Sequence, residues 1–244
     1  RPPRRADPRR KPGLSASKEA ALGCDEMVAL PLEVMAMSAS PPPTGLLVSV
    51  DGPAGAGKTT LLNALTDRLT AEGVPCTRVH APSHRGIGQL IRSRIDEWPP
   101  RVLVHLMAAD RYHTLHTVIT PALAAGTVVL ADRYLLSSYV LQYLSGADLE
   151  DIDAANAAAP RPDVAVLLGG RPDVIARRLA ERGPHCALHQ RDGITADELK
   201  LYAELATRAP ARLRTLHLDT TAHTPQQLAD ETCAAILSLT ETRS

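Results

Sequence analysis

The sequence predicts an α/β fold, a doubly wound, five-stranded parallel sheet with helices on both faces. Three observations predict it. Short apolar runs alternate with stretches of helical periodicity from Leu46 onward, the rhythm of a parallel sheet covered on both sides. A glycine-rich turn lies between the first apolar run and the first helical stretch, Leu61 to Leu69. The 244 residues are enough for one substantial domain of about 200 residues plus a tail.

In chain order, strands are expected at Leu46–Asp51 (LLVSVD), Pro75–His80 (PCTRVH), Thr127–Asp132 (TVVLAD), Val164–Leu168 (VAVLL) and Leu213–Leu218 (LRTLHL). Helices are expected near 58–72, 86–97, 101–125, 135–145, 148–158, 172–182, 196–209 and 225–240. Ligands of such sheets sit beyond the carboxyl ends of the strands. Chemistry is therefore expected after residues 51, 80, 132 and 168.

Residues 52–59 read Gly-Pro-Ala-Gly-Ala-Gly-Lys-Thr, a complete GxxxxGK[ST] phosphate-binding loop. This predicts a bound nucleotide. Gly52, Gly55, Ala56 and Gly57 let successive backbone N–H groups turn toward phosphate, with Thr60 continuing into the helix. Lys58 reaches the β and γ oxygens, and the Thr59 hydroxyl is a Mg²⁺ ligand. The basic residues are nearly all Arg, and Lys58 and Lys200 are the only lysines after the first 18 residues. A lysine kept where a compact point charge must meet phosphate is unlike filler.

The third strand ends in Asp132-Arg133-Tyr134. An Asp beside a phosphate-loop strand can hold Mg²⁺ through water, and the neighbouring Arg can clamp a phosphate; the bland reading is a surface ion pair. Met107 and Arg111 are four apart on one helix face, offering an apolar surface and a hydrogen-bonding fork to a planar ligand, or else a core Met beside a solvated Arg. Residues 177–192 hold Arg177, Arg178, Arg182 and Arg191 around Gly183-Pro184 and Gly193. This is the composition of a basic flap near 182–195, in which Arg182 and Arg191 are the candidate transition-state cations. His185, Cys186 and His189 have no fourth ligand nearby, so a metal there is not expected.

The totals of 27 basic and 27 acidic residues cancel, but residues 1–18 carry seven basic side chains against Asp7. The rest has no nucleic-acid footprint. Cys24, Cys76, Cys186 and Cys233 are far apart without a CxxC, which suits reduced thiols in the cytoplasm. No apolar run of about 18 residues points to a membrane. Residues 1–44 are rich in Arg, Pro, Ala and Ser and are expected to form a disordered extension, leaving 45–244 as the folded domain.

These motifs together resemble the thymidylate kinase family of nucleoside-monophosphate kinases. The resemblance runs from about Leu46 to Asp219 through the phosphate loop, Leu106-Met-Ala-Ala-Asp-Arg111, and Asp132-Arg133-Tyr134 followed by Ser137-Ser138 and Gln142. It implies a P-loop nucleotide-kinase fold and transfer of phosphate from ATP to dTMP. It further implies that Lys58 and Thr59 serve ATP and Mg²⁺, that Asp132 supports the metal and that Arg133 holds the acceptor phosphate. Arg111 and Ser138 would face the pyrimidine with Met107 and Gln142 alongside, while Arg182 and Arg191 would be the flap cations. Partners would be small nucleotides, with a homodimer left open.

The chain departs from the family pattern at four places. After the second strand it has Ala81-Pro82-Ser83-His84-Arg85 where an Arg-Glu-Pro type sequence is usual, so Arg85 is the candidate replacement for the acceptor-phosphate Arg. Met107 stands where an aromatic ring usually stacks, Ala54 replaces an acidic residue that meets the sugar 3′-hydroxyl, and Leu141 replaces a side chain that is often aromatic. The competing readings are a kinase acting on a nucleoside hydroxyl or a modified nucleotide, with Asp51 as its candidate base, and a nucleotide-binding regulator without turnover.

Overall fold

In the computed structural model, which describes residues 44–183, 186–207 and 214–243, the apolar runs pair into one parallel sheet of order β2-β3-β1-β4-β5. The strands are β1 (Leu47–Asp51), β2 (Cys76–His80), β3 (Val128–Asp132), β4 (Val164–Gly169) and β5 (Arg214–Asp219). The helices are α1 (Lys58–Ala71), α2 (Gly86–Ser93), α3 (Pro100–Thr114), α4 (Thr120–Ala124), α5 (Leu135–Leu144), α6 (Leu149–Asn156), α7 (Pro172–Arg182), α8 (Ile194–Thr207) and α9 (Pro225–Arg243). The tail of residues 1–43, Pro184, His185, the last two residues of the expected 196–209 helix and Leu213 at the start of the expected fifth strand all lie outside the described residues.

Side chains that alternate along each strand explain the two layers. On one face Val48, Val50, Val128, Leu130, Val164 and Val166 pack against Leu61, Leu62, Leu65 and Leu69 of α1 and against Leu228 and Ile236 of α9. On the other, Leu47, Val129 and Ala131 meet Leu115, Ile119, Leu123 and Leu135. A smaller cluster, Val104, Ala147 and Ile152, joins α3 to α5 and α6.

The helix expected over 101–125 is not continuous. It runs as α3, one π-helical stretch at Leu115–Ile119, and then α4. Pro121 has no N–H to donate and its ring crowds the carbonyl four residues back, so the chain widens by one residue before it. The helix expected at 86–97 ends at Ser93, ahead of the Pro99-Pro100 pair.

Register decides what meets at the carboxyl edge. Asp132 of β3 lies opposite Val50 of β1 and His80 of β2, so the phosphate loop and the ends of β2 and β3 open onto one space. The loop after β3 is fixed by Asp51, whose Oδ1 accepts from the Tyr134 and Ser137 amides at 2.9 and 3.0 Å and from the Ser137 hydroxyl at 2.6 Å. This wholly buried carboxylate thus caps the start of α5.

Candidate active site

The phosphate loop closes on glycines whose backbone disfavours any side chain. A Cβ on Gly52 would come within 2.5 Å of the Leu168 carbonyl, and Gly57, at φ 88°, is the residue immediately before α1. No side chain caps α1, so its first N–H groups face the cavity. Lys58 is folded into its own loop, donating to the carbonyls of Gly52 at 2.9 Å and Pro53 at 2.7 Å. Burial and then the nearby Arg133 lower its pKa to about 7, against the opposing pull of Asp132, Glu198 and Asp51.

That depression has a sign. Between about 7 and its ordinary 10.5 the folded chain holds fewer protons than the unfolded one, so Lys58 makes stability rise with pH across this window. A phosphate beside the amine restores its charge. ATP binding at pH 8 is expected to take up nearly one proton, read as a dependence of calorimetric enthalpy on the buffer's ionisation enthalpy. The uptake should vanish in Lys58→Met, and wild type without uptake would show that the amine is already charged.

Beside the loop, the Thr59 hydroxyl lies 3.5 Å from Asp132 Oδ2. A hydroxyl and a carboxylate are hard oxygen donors, a set that fits Mg²⁺, which takes few protein ligands and keeps its waters. His80 Nε2 is 3.8 Å from the same Asp132 oxygen. Burial holds the His80 pKa down to about 4 despite Asp132, with Arg92 adding to the depression. The ring is neutral, and its Nδ1 accepts from Arg92 Nη2 at 2.7 Å.

The structure does not bring Arg85 to the cavity. Its side chain is exposed outside the cavity, because the residue only precedes α2 and that helix turns the chain away. Arg92, two turns further along α2, faces the cavity instead. Its Nε donates to the Ser83 carbonyl at 3.1 Å and its Nη2 to the Pro82 carbonyl as well as His80. On the other side Arg133 Nη1 donates to the Gly52 carbonyl at 3.1 Å, to Ser137 Oγ at 3.3 Å and to Tyr202 Oη at 3.4 Å. Among the described residues, Arg133 is the one non-glycine at positive φ, 68°. Such backbone costs on the order of 1–3 kcal/mol and collects at functional sites.

The cavity, about 1160 Å³, runs from the loop to a second group of side chains. It exceeds the usual single-ligand pocket of roughly 300–1,000 Å³. Arg111, buried on α3, donates through Nη1 to Asn156 Oδ1 and through Nη2 to Ser138 Oγ, with its guanidinium 5.5 Å from the centre of the Tyr134 ring. Met107 and Leu141 line the same wall. Gln142 is 3 % exposed, and neither its amide nitrogen nor its amide oxygen has a partner. Asp110, next to Arg111, does not face the ligand space; it accepts from the Ser83 amide and hydroxyl, both at 2.6 Å, and braces the loop after β2.

The flap arginines divide. Arg182 faces the cavity and is exposed. Arg191 also lines it but pairs with Asp197 at 2.8 Å. Arg178, not among the two candidate flap cations, lines the cavity too and donates to Thr220 Oγ1 at 3.3 Å and to the Thr220 carbonyl at 3.1 Å. Sequence reasoning also missed Glu198 and Tyr202 of α8. Glu198 Oε2 accepts the Ala54 amide of the phosphate loop at 2.9 Å, and Tyr202 Oη is 2.9 Å from Ser137 Oγ. A signal existed: Ile194, Glu198, Leu201, Tyr202 and Leu205 form the buried stripe of α8, and a carboxylate in an apolar stripe needs a partner. Among the described residues no group of three or more His, Cys, Asp or Glu is arranged to hold a metal ion.

The sequence profile of thymidylate kinase matches residues 50–227, from the last two residues of β1 to the first turn of α9. The chain belongs to the thymidylate kinase family. A thymidylate kinase of Exiguobacterium sibiricum is 33 % identical over 210 residues, 82 % of this chain and 98 % of that protein. One from Xylella fastidiosa is 35 % identical over 143 residues, 58 % of this chain and 66 % of its own length. One from Xanthomonas oryzae pv. oryzae is 36 % identical over 143 residues, 58 % and 63 % respectively. As a member of this family the chain is a phosphotransferase on an α/β nucleotide-kinase fold. No helix among the described residues is long and apolar enough to cross a membrane.

Proposed function

We propose that this thymidylate kinase family member transfers the γ-phosphoryl group of ATP to the phosphate of dTMP, giving ADP and dTDP. The observation that carries the reading is one cavity with the phosphate loop at one end and the Arg111, Ser138 and unpartnered Gln142 group at the other. A buried amide whose donor and acceptor both lack partners is costly unless a ligand completes it. The N3–H and O4 edge of thymine offers the complementary pair. The shared name of the relatives supports the same acceptor.

In this reading Lys58 leaves the Gly52 and Pro53 carbonyls to meet the β and γ oxygens, and the N–H groups of Gly55, Gly57, Thr59 and Thr60 surround them. Thr59 and Asp132 would hold Mg²⁺, which when bound neutralises phosphate charge. Arg133 and Arg92 flank the acceptor phosphate, and Arg182 and Arg191 approach the transferring group from the flap. Gly52 and Ala56 shape the loop without lining the cavity. No general base is needed, because the attacking phosphate oxygen is already anionic. Asp51, the base that a hydroxyl acceptor would require, is engaged in capping α5 and does not line the cavity.

Specificity follows from the far wall. Met107 offers a thioether where a ring would stack, weakening thymine binding by roughly 1 kcal/mol. Neither Ala54 nor Leu141 gives the sugar a polar partner. We expect ADP release with dTMP at a raised KM, and dUMP within about tenfold in kcat/KM. Release assayed over dTMP, dUMP, UMP and dCMP tests both statements. No acceptor-dependent release would defeat the kinase reading, and a dTMP preference above about a thousandfold would defeat the reading of Met107, Ala54 and Leu141.

A further inference from the structure

Outside the phosphate-transfer groups, three titratable side chains form a continuous chain from the cavity wall to the phosphate loop. Cys186 lines the cavity, with its Sγ 3.3 Å from His189 Nδ1. His189 Nε2 lies 3.2 Å from Glu198 Oε1, an ion-pair distance without the alignment of a hydrogen bond, and Glu198, 1 % exposed, holds the Ala54 amide through its other oxygen. A thiol in contact with an imidazole, with a carboxylate beside the imidazole's other nitrogen to favour its charged form, has the parts of an activated nucleophile. The mechanism above uses none of the three.

We propose that Cys186 is a covalent modification site for low-molecular-weight disulfides and that its modification shuts down phosphoryl transfer. The pair favours the thiolate. Burial raises the Cys186 pKa, but the hydrogen bond and charge of His189 outweigh it, leaving the thiol below its ordinary range. Burial likewise opposes charge on His189, yet Cys186 and Glu198 hold its pKa up to about 9. Thiolates beside an imidazolium are the reactive ones. The other two described thiols lack such a partner: burial raises the pKa of both Cys76 and Cys233.

The step is an exchange. The Cys186 thiolate attacks one sulfur of RS–SR, the Cys186–SR bond forms as the S–S bond breaks, and RS⁻ leaves and takes a proton from water. The Cys186 sulfur is oxidised and the departing sulfur is reduced. Two consequences follow from position. The anion that held His189 is gone, which loosens the Glu198 arm on the phosphate loop. The added group would also crowd a segment that is seated by two neighbouring contacts, the Ala187 amide on Asp96 Oδ1 at 2.9 Å and Arg191 Nη1 on the Leu144 carbonyl at 3.4 Å.

The test uses the full chain, freshly reduced, with bis(2-hydroxyethyl) disulfide as probe and peptide mass spectrometry to follow each cysteine separately. Cys186 is expected to react at least tenfold faster than the more exposed Cys76. Turnover of ATP and the acceptor should fall at least tenfold in step with Cys186 labelling and return on treatment with dithiothreitol. In His189→Gln, labelling of Cys186 should slow about tenfold while Cys76 keeps its rate. In Cys186→Ser, the fraction of activity surviving the disulfide should be near one. Should His189→Gln fail to fold, the wild-type ratio of Cys186 to Cys76 decides by itself. Cys186 reacting no faster than Cys76, a folded His189→Gln with unchanged Cys186 labelling, or Cys186→Ser losing activity as wild type does would each overturn the proposal.

Discussion

Lys58→Ala is expected to lower kcat/KM at least a hundredfold while leaving the melting temperature within a few degrees of wild type. The amine makes no apolar contact that the fold needs; it bridges two carbonyls of its own loop. Its burial as a charge is unfavourable without phosphate, as its lowered pKa shows, so removing it also removes a penalty. Loss of one such electrostatic contact to a transferring group commonly costs about 3 kcal/mol of transition-state stabilisation. Asp132→Asn should fall in the same range for a different reason. The amide keeps the shape next to Thr59 and His80 but brings no charge to Mg²⁺, so part of its loss should be recovered at high Mg²⁺, whereas the Lys58→Ala loss should not. Near-normal turnover in Lys58→Ala, with the fold intact by circular dichroism, would remove the phosphate-loop mechanism.

The difference between these residues and the ones sequence reasoning overlooked is one of locality. The five strands, the loop and the Asp132-Arg133 pair were legible because strand, turn and helix propensities are written in adjacent residues. Ends shifted only slightly, β2 beginning at Cys76 and β5 extending to Asp219. The break at Leu115–Ile119 was missed because the pattern is helical on both sides, although Pro121 carried the signal. Arg92, Glu198 and Tyr202 are further from the sequence's reach. Each acts on a segment 9 to 144 residues away, and only the packing of α2 and α8 against the sheet edge decides which side chain arrives there. Glu198 was the most legible of the three, as a charged residue in an otherwise apolar helical stripe. Arg111 and Met107, four apart in sequence, line one cavity, but the pairing of Arg111 with Asn156 of α6 required the tertiary fold.

Arg92 is where that tertiary information changes an expected result most. Arg92→Ala should lower kcat/KM for the acceptor about a hundredfold, chiefly through KM for the acceptor, with KM for ATP nearly unchanged. The argument rests on placement. Arg92 contacts His80, and His80 faces the Asp132 oxygen nearest Thr59, so the guanidinium stands beside the position where donor and acceptor phosphates must meet in line. Its Nε and Nη2 are engaged by the Ser83 and Pro82 carbonyls and by His80, which fixes the fork and leaves Nη1 for a phosphate oxygen. A fixed planar fork loses little entropy on binding. Loss of one electrostatic contact to phosphate commonly costs about 3 kcal/mol, which is a hundredfold or slightly more. Arg92→Lys should recover only part of the loss, since an ammonium cannot hold the Ser83 and Pro82 carbonyls and the phosphate together. Arg85→Ala, by contrast, should stay within about threefold of wild type, because that side chain lies outside the cavity. Steady-state kinetics with the acceptor varied at saturating ATP separate the two residues. If Arg85→Ala carries the large KM effect and Arg92→Ala is nearly silent, the acceptor phosphate is held from the start of α2 and the placement argued for Arg92 is wrong.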